Sequence, residues 1–233
     1  MHINFLELLK SKKDEKYRIF TSKLLPKDVD LIGVRIPEIR KIVKDVIKKD
    51  EWQALLSSDI SSYKYQEELI LYALVLSKAN ILTSEKISLI KIFIPYINSW
   101  AVCDIFCADL KETKNNLELF YKTFSQYVES QSEYQIRFFY VLALNYFINE
   151  DFLDNIFELI AKQHYIGFYD KMAVAWFLSI AYIKYPQQTQ NFLLNTKLDK
   201  FVFSKTVSKI CDSFQVTKEA KLHLRNLASN IKN

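Results

Sequence analysis

PEIRKIVKDVIKK, from Pro37 to Lys49, fits one kind of backbone. Proline is at home at the first position of a helix, where its missing N–H is not needed. Ile39, Ile42, Val43 and Val46 then recur at helical spacing, and lysines take the opposite face. This predicts an amphipathic helix whose apolar stripe must be covered. The next apolar block, YQEELILYALVLSK at 65–78, is apolar nearly all round after its first turn, which predicts a largely buried helix. Helical periodicity continues at 3–12, 84–94, 99–110, 115–129, 133–148, 151–163, 168–184, 187–195, 200–213 and 217–231. No segment shows sustained strand alternation between turn residues.

The composition agrees. The 233 residues include two glycines and four prolines, against ordinary usage of roughly 7% and 5%. Strands and tight turns draw on glycine, so the shortage favours helices joined by short connections. Hydrophobic residues make up 50% and aromatics 15%, enough for a sizeable core and too much for general disorder. Helix pairs recur about every 35 to 45 residues, the period of HEAT-like arrays, whose stacked pairs form a curved solenoid with a concave binding face. No linker or charge block interrupts the chain, so one domain spanning 1–233 is expected. Residues 1–36 form its divergent N-terminal cap. Within it KYRIFTSKLLPKDVDLIGVRI, 16–36, is broken by Pro26 and Gly33 and reads as a short helix and then an extended connection.

No apolar run approaches the ~18 residues of a membrane-spanning helix, and MHINFLELLKSKK lacks the layout of a secretion signal. Cys103, Cys107 and Cys211 lie in apolar contexts, which fits reduced thiols in a cytoplasmic protein. Cys103 and Cys107 stand one helical turn apart, but no histidine or second cysteine pair completes a metal site. No metal or cofactor is expected. The net charge of +5 permits a nucleic-acid partner and disfavours an acidic one. A glycine-rich phosphate loop and Cys-His or Ser-His pairings are not seen.

Four residues invite a chemical reading. In INSWAVCDIFC, Trp100 and Asp104 are four apart, so a helix puts them on one face. Arg137 is a cation beside Phe138 and Phe139 in an apolar helix. Trp176 lies in a third such helix, YDKMAVAWFLSIAYIKYP. Each has a plainer explanation: tryptophans as core, Arg137 as a buried ion-pair partner, Asp104 as a cap or as that partner's acid.

The ordered motifs resemble a known family. IGVRIPEIRKIVKDV is similar to the GV-x-x-P-x-x-R segment of the AlkD-type DNA alkylation-repair proteins. SWAVCDIFC resembles the family's Trp-x-x-x-Asp helix, IRFFYVLALNYF its arginine-bearing helix and DKMAVAWFLSIAYIKYP its Lys- and Trp-bearing helix. FSKTVSKI resembles its basic helix near the C-terminus. The resemblance implies an all-α HEAT-like solenoid cradling duplex DNA on a basic concave face. It implies Trp100, Asp104 and Trp176 as a catalytic cleft and Arg137 as a DNA contact. The implied reaction is hydrolysis of the N-glycosidic bond of a cationic alkylpurine, such as 3-methyladenine or 7-methylguanine. An alkylated purine already leaves well. What needs stabilising is an oxocarbenium-like sugar, which a carboxylate can face and tryptophan faces can attract.

DNA contact by such a protein is expected to be sequence-independent and dominated by the backbone, with Arg35, Arg40, Arg137, Lys171, Lys205 and Lys209 as candidate phosphate contacts. A monomer is expected. One departure stands out. The family's glycosylases carry a second helix before GV-x-x-P, whereas KYRIFTSKLLPKDVDLIG is shorter and broken by proline. It resembles a branch that lacks that helix and binds branched or distorted DNA without evident glycosylase activity. Three readings follow: alkylpurine glycosylase, non-catalytic DNA binder and HEAT-like scaffold for protein partners.

Overall fold

In the computed structural model the stripe Ile39, Ile42, Val43 and Val46 is buried along helix α3 (Ile36–Lys48), with Pro37 in its first turn. The structure describes residues 4–232, with side chains to residue 226; residue 3 of the first expected helix lies outside them. The chain divides into two compact units, Met1–Asn115 and Asn116–Asn233.

In the first unit α1 (Phe5–Lys10) and α2 (Glu15–Ser22) precede α3. After it come α4 (Trp52–Leu56), α5 (Gln66–Lys78), α6 (Thr83–Phe93) and α7 (Trp100–Asp109). Helix α5 is the hub, with α1, α3, α4, α6 and α7 packed on it. Leu69 through Leu76 are buried without a break, as an all-round apolar helix requires. Tyr72 stacks on Phe93 at 5.2 Å between ring centroids, and Phe93 meets Phe106 edge-on at 5.0 Å, so α5, α6 and α7 share one aromatic core. Each such ring contributes about 1.5–3 kcal/mol by leaving water.

The second unit holds α8 (Leu117–Phe124), α9 (Glu133–Tyr146), α10 (Leu153–Ala161), α11 (Phe168–Lys184), α12 (Pro186–Asn195), α13 (Lys200–Asp212) and α14 (Lys218–Lys232). Here α11 is central, and α9, α12 and α13 pack on it. In both units a helix packs on the next but one: α3 on α5 on α7, and α9 on α11 on α13. That is a helical-repeat pattern, and the fold is all-α. Among the described residues the only β pairing is an isolated bridge between Asp30 and Tyr65. No described helix is long and apolar enough to cross a membrane. The three cysteines are free thiols, Cys103 and Cys107 buried and Cys211 half-buried.

Two local expectations are corrected. Residues 115–129 are not one helix. Asn116 leaves the helical region (φ −140°, ψ 41°) just before α8, and residues 125–129 tighten into a 3-10 turn. Helix α4 was not expected at all, because five residues are too few to show a period.

The connection from α2 to α3 is held by a buried acid. Glu67, 2% exposed in the first turn of α5, accepts from the backbone N–H groups of Ile32 (3.0 Å), Gly33 (2.7 Å) and Val34 (3.1 Å). Gly33 lies at φ +94°, and its carbonyl accepts from the Asp14 amide at 2.8 Å. A Cβ there would lie 2.6 Å from Arg18 Cβ and 2.7 Å from the Asp14 carbonyl oxygen, so only glycine fits.

Candidate functional site

Trp100 and Asp104 stand one turn apart on α7, both half-buried. The start of α7 is fixed from inside the first unit. Ser99, the N-cap, accepts from the Val102 amide at 3.3 Å and donates its hydroxyl to Gln66 Oε1 of α5 at 2.6 Å, with both side chains buried. Trp100 is thereby aimed at the connection after α2, where its indole N–H donates to the Leu24 carbonyl at 3.1 Å. The one tryptophan donor is thus spent on the chain's own backbone.

The candidate cations of this unit have acidic neighbours. Arg35 donates through Nε to Asp14 Oδ2 at 2.9 Å, and its guanidinium lies 4.8 Å from the Tyr17 ring centroid. Arg40 grips Asp109 with both terminal nitrogens, and Lys78 approaches the same acid at 3.9 Å. Asp109, 8% exposed at the end of α7, therefore ties α3, α5 and α7 together. Both arginine side chains remain about half exposed.

In the second unit Arg137 is 6% exposed. Its Nη1 donates to the Tyr169 carbonyl at 3.0 Å, while Glu133, one turn earlier on α9, accepts from the Tyr169 amide at 2.8 Å. Two charged side chains of α9 thus hold both backbone groups of one residue in the first turn of α11. Trp176 follows seven residues later, half-buried, with Lys209 Nζ of α13 at 5.9 Å from its ring centroid. Lys205, exposed one turn earlier on α13, lies 5.7 Å from the Phe201 ring centroid. Lys171 pairs with Asp199 at 3.0 Å and lies 5.6 Å from the Tyr165 ring centroid.

These contacts set a pH dependence. Partial burial pushes the Asp199 carboxyl up, but the Lys171 ammonium and the Val202 and Phe201 amides outweigh it, leaving its pKa below the usual carboxylate value. The Tyr17 amide and Arg35 lower Asp14 in the same direction. A folded pKa below the unfolded one gives stability that is present above the ordinary carboxylate range and is lost as pH falls through the folded value. Thermal unfolding should therefore move to lower temperature below about pH 4. Asp199→Asn should flatten part of that fall, by no more than about 1 kcal/mol after solvent screening. An unchanged acid profile would show that the Lys171–Asp199 contact does not persist in solution.

Several residues that organise the candidate regions gave no chemical signal in the sequence: Glu67 and Asp109 in the first unit, Glu133 and Asp170 in the second. Asp170, wholly buried in α11, accepts from the amides of Ile166, Gly167 and Lys171. Glu67, Glu133 and Asp170 stand in the first turns of their helices, where an acid is ordinary, and Asp109 ends α7, so none stands out from the sequence as Asp104 does. Among the described residues no group of acids, histidines and cysteines could hold a metal ion.

The sequence model of a family described as DNA alkylation repair enzyme matches residues 5–210. No curated protein matches the chain.

Proposed function

The chain belongs to the DNA alkylation repair enzyme family, and from that premise we propose that it binds DNA through the sugar–phosphate backbone, without reading sequence and without excising bases. The observation that carries this reading is the Lys209 ammonium 5.9 Å from the Trp176 ring centroid. Recognition of a cationic alkylpurine needs bare aromatic faces. A lysine over that ring already makes the cation–π contact and repels a second cation. The Trp100 N–H is spent on the Leu24 carbonyl and so offers no donor to a base. Arg35, Arg40, Lys171, Lys205 and Lys209 contact phosphates, and Arg137 serves from inside by seating α11.

A second reading, excision, is favoured by Asp104, half-buried one turn from Trp100 on α7. Its carboxylate would stabilise an oxocarbenium-like sugar and orient water. The two readings separate in one experiment: release of methylated base from alkylated duplex, measured beside binding to plain duplex and to four-way junctions. Binding without release above the blank is expected. Release that Asp104→Asn lowers at least tenfold, about 1.4 kcal/mol of transition-state stabilisation, with binding unchanged, would establish excision instead. No binding to any DNA would overturn both.

A further inference from the structure

Helix α2 is an eight-residue helix with no buried residue. It is pinned at its ends. Asp14 caps it, Arg35 holds Asp14, and the backbone just after it receives the Trp100 N–H at Leu24 before Leu25 turns inward. Its outward face is left uncovered. Ile19 (49% exposed) and Phe20 (63%) lie on it, and Leu24 (52%) is exposed beside them in the turn just past the helix end. Lys16, Lys23 and Lys27 frame them, all three exposed. Among the described residues none of the three makes an ion pair, whereas Lys13, Arg18 and Arg35 are paired with Glu15 or Asp14.

An apolar surface costs free energy in water, and cations at its border favour an anionic occupant. DNA offers both parts: phosphates for the lysines and a base face for the ring. Apolar side chains that enter a base step must unstack it, which costs least where the step is already open. We propose that α2 is a wedge. Phe20 and Leu24 stack on bases at an unpaired or branched position, and Lys16, Lys23 and Lys27 hold the flanking phosphates. This rests on the DNA-binding reading above and adds what that reading lacks, a reason to prefer opened DNA over plain duplex.

The test uses the full chain, a plain duplex and the same duplex with an unpaired bulge carrying 2-aminopurine. Wild type should bind the bulged duplex at least tenfold more tightly and quench the 2-aminopurine. Phe20→Ala and Leu24→Ala should each remove most of that preference and the quenching, and leave plain-duplex affinity within about twofold, because stacking contributes only at open bases. Phe20→Trp should restore both. The Lys16/Lys23/Lys27→Gln variant should weaken the bulged complex and lower its slope of log affinity against log salt by about 2.7, at roughly 0.9 per phosphate contact. These side chains are exposed, so folding is checked by an unchanged thermal midpoint. Equal preference in wild type and Phe20→Ala, with DNA binding intact, would overturn the wedge alone. Wild type that binds no DNA would overturn the reading beneath it. Concentration-dependent self-association or vesicle binding that Phe20→Ala abolishes, with the bulge preference kept, would assign the face to a second copy or a lipid surface.

Discussion

Replacing Glu67 with alanine should lower stability by at least about 3 kcal/mol. The carboxylate accepts from three consecutive amides, those of Ile32, Gly33 and Val34. Removing it leaves three buried donors without a partner, and each costs about 1–3 kcal/mol. Water cannot easily replace it, because Ile32, Gly33 and Val34 are themselves buried. At roughly 2–4 °C per kcal/mol for a chain of this size, the midpoint should fall by about 6–12 °C. Glu67→Gln keeps one acceptor oxygen but turns an amide NH2 toward a backbone N–H, so it should retain only part of the stability. An alanine variant that melts within about 1 °C of wild type would mean that the connection before α3 does not depend on this acid.

The second large effect is in binding. Backbone contact with five cations, Arg35, Arg40, Lys171, Lys205 and Lys209, predicts a slope of about −4.5 for log affinity against log salt, at −0.9 per contact. Raising salt from about 50 to 200 mM should then weaken binding about five-hundredfold. Lys205→Gln with Lys209→Gln should reduce the slope by about 1.8, and changing the duplex sequence should not matter. Arg137→Lys separates two roles for that arginine. A guanidinium that seats Tyr169 from a 6% exposed position should cost thermal stability when replaced and leave the slope alone. A slope near zero with tight binding retained would show that phosphates are not what the protein holds.

The helices were legible because burial writes itself into side-chain spacing. Ile39, Ile42, Val43 and Val46 form a stripe whether or not α5 is known, and an all-round apolar α5 can only be enclosed. The Pro26–Gly33 break marked the connection for the same local reason. The candidate residues were legible only as positions: Trp100 and Asp104 on α7, Arg137 on α9, Trp176 on α11. Their partners are backbone groups or distant side chains. The Leu24 carbonyl, both Tyr169 backbone groups and the amides that Glu67 binds leave no residue-type signature in the sequence. Glu67 lies 35 residues from Ile32, and no period links them.

Both glycines of the chain stand against a carboxylate. Gly33 donates to Glu67, and a Cβ on Gly167 would collide with Glu133, displacing the oxygen that holds the Tyr169 amide. Surface connections are where a protein ordinarily absorbs sequence drift. Here the pattern is inverted at two points. Substitutions on the exposed lysine-rich helix faces should cost little, whereas a side chain added at 33 or 167 should be resisted as strongly as one in the core. Gly167 can be exchanged only together with Glu133, the acid facing it, whereas Gly33 is fixed by its positive φ and by Arg18 and Asp14, so changing Glu67 would not release it.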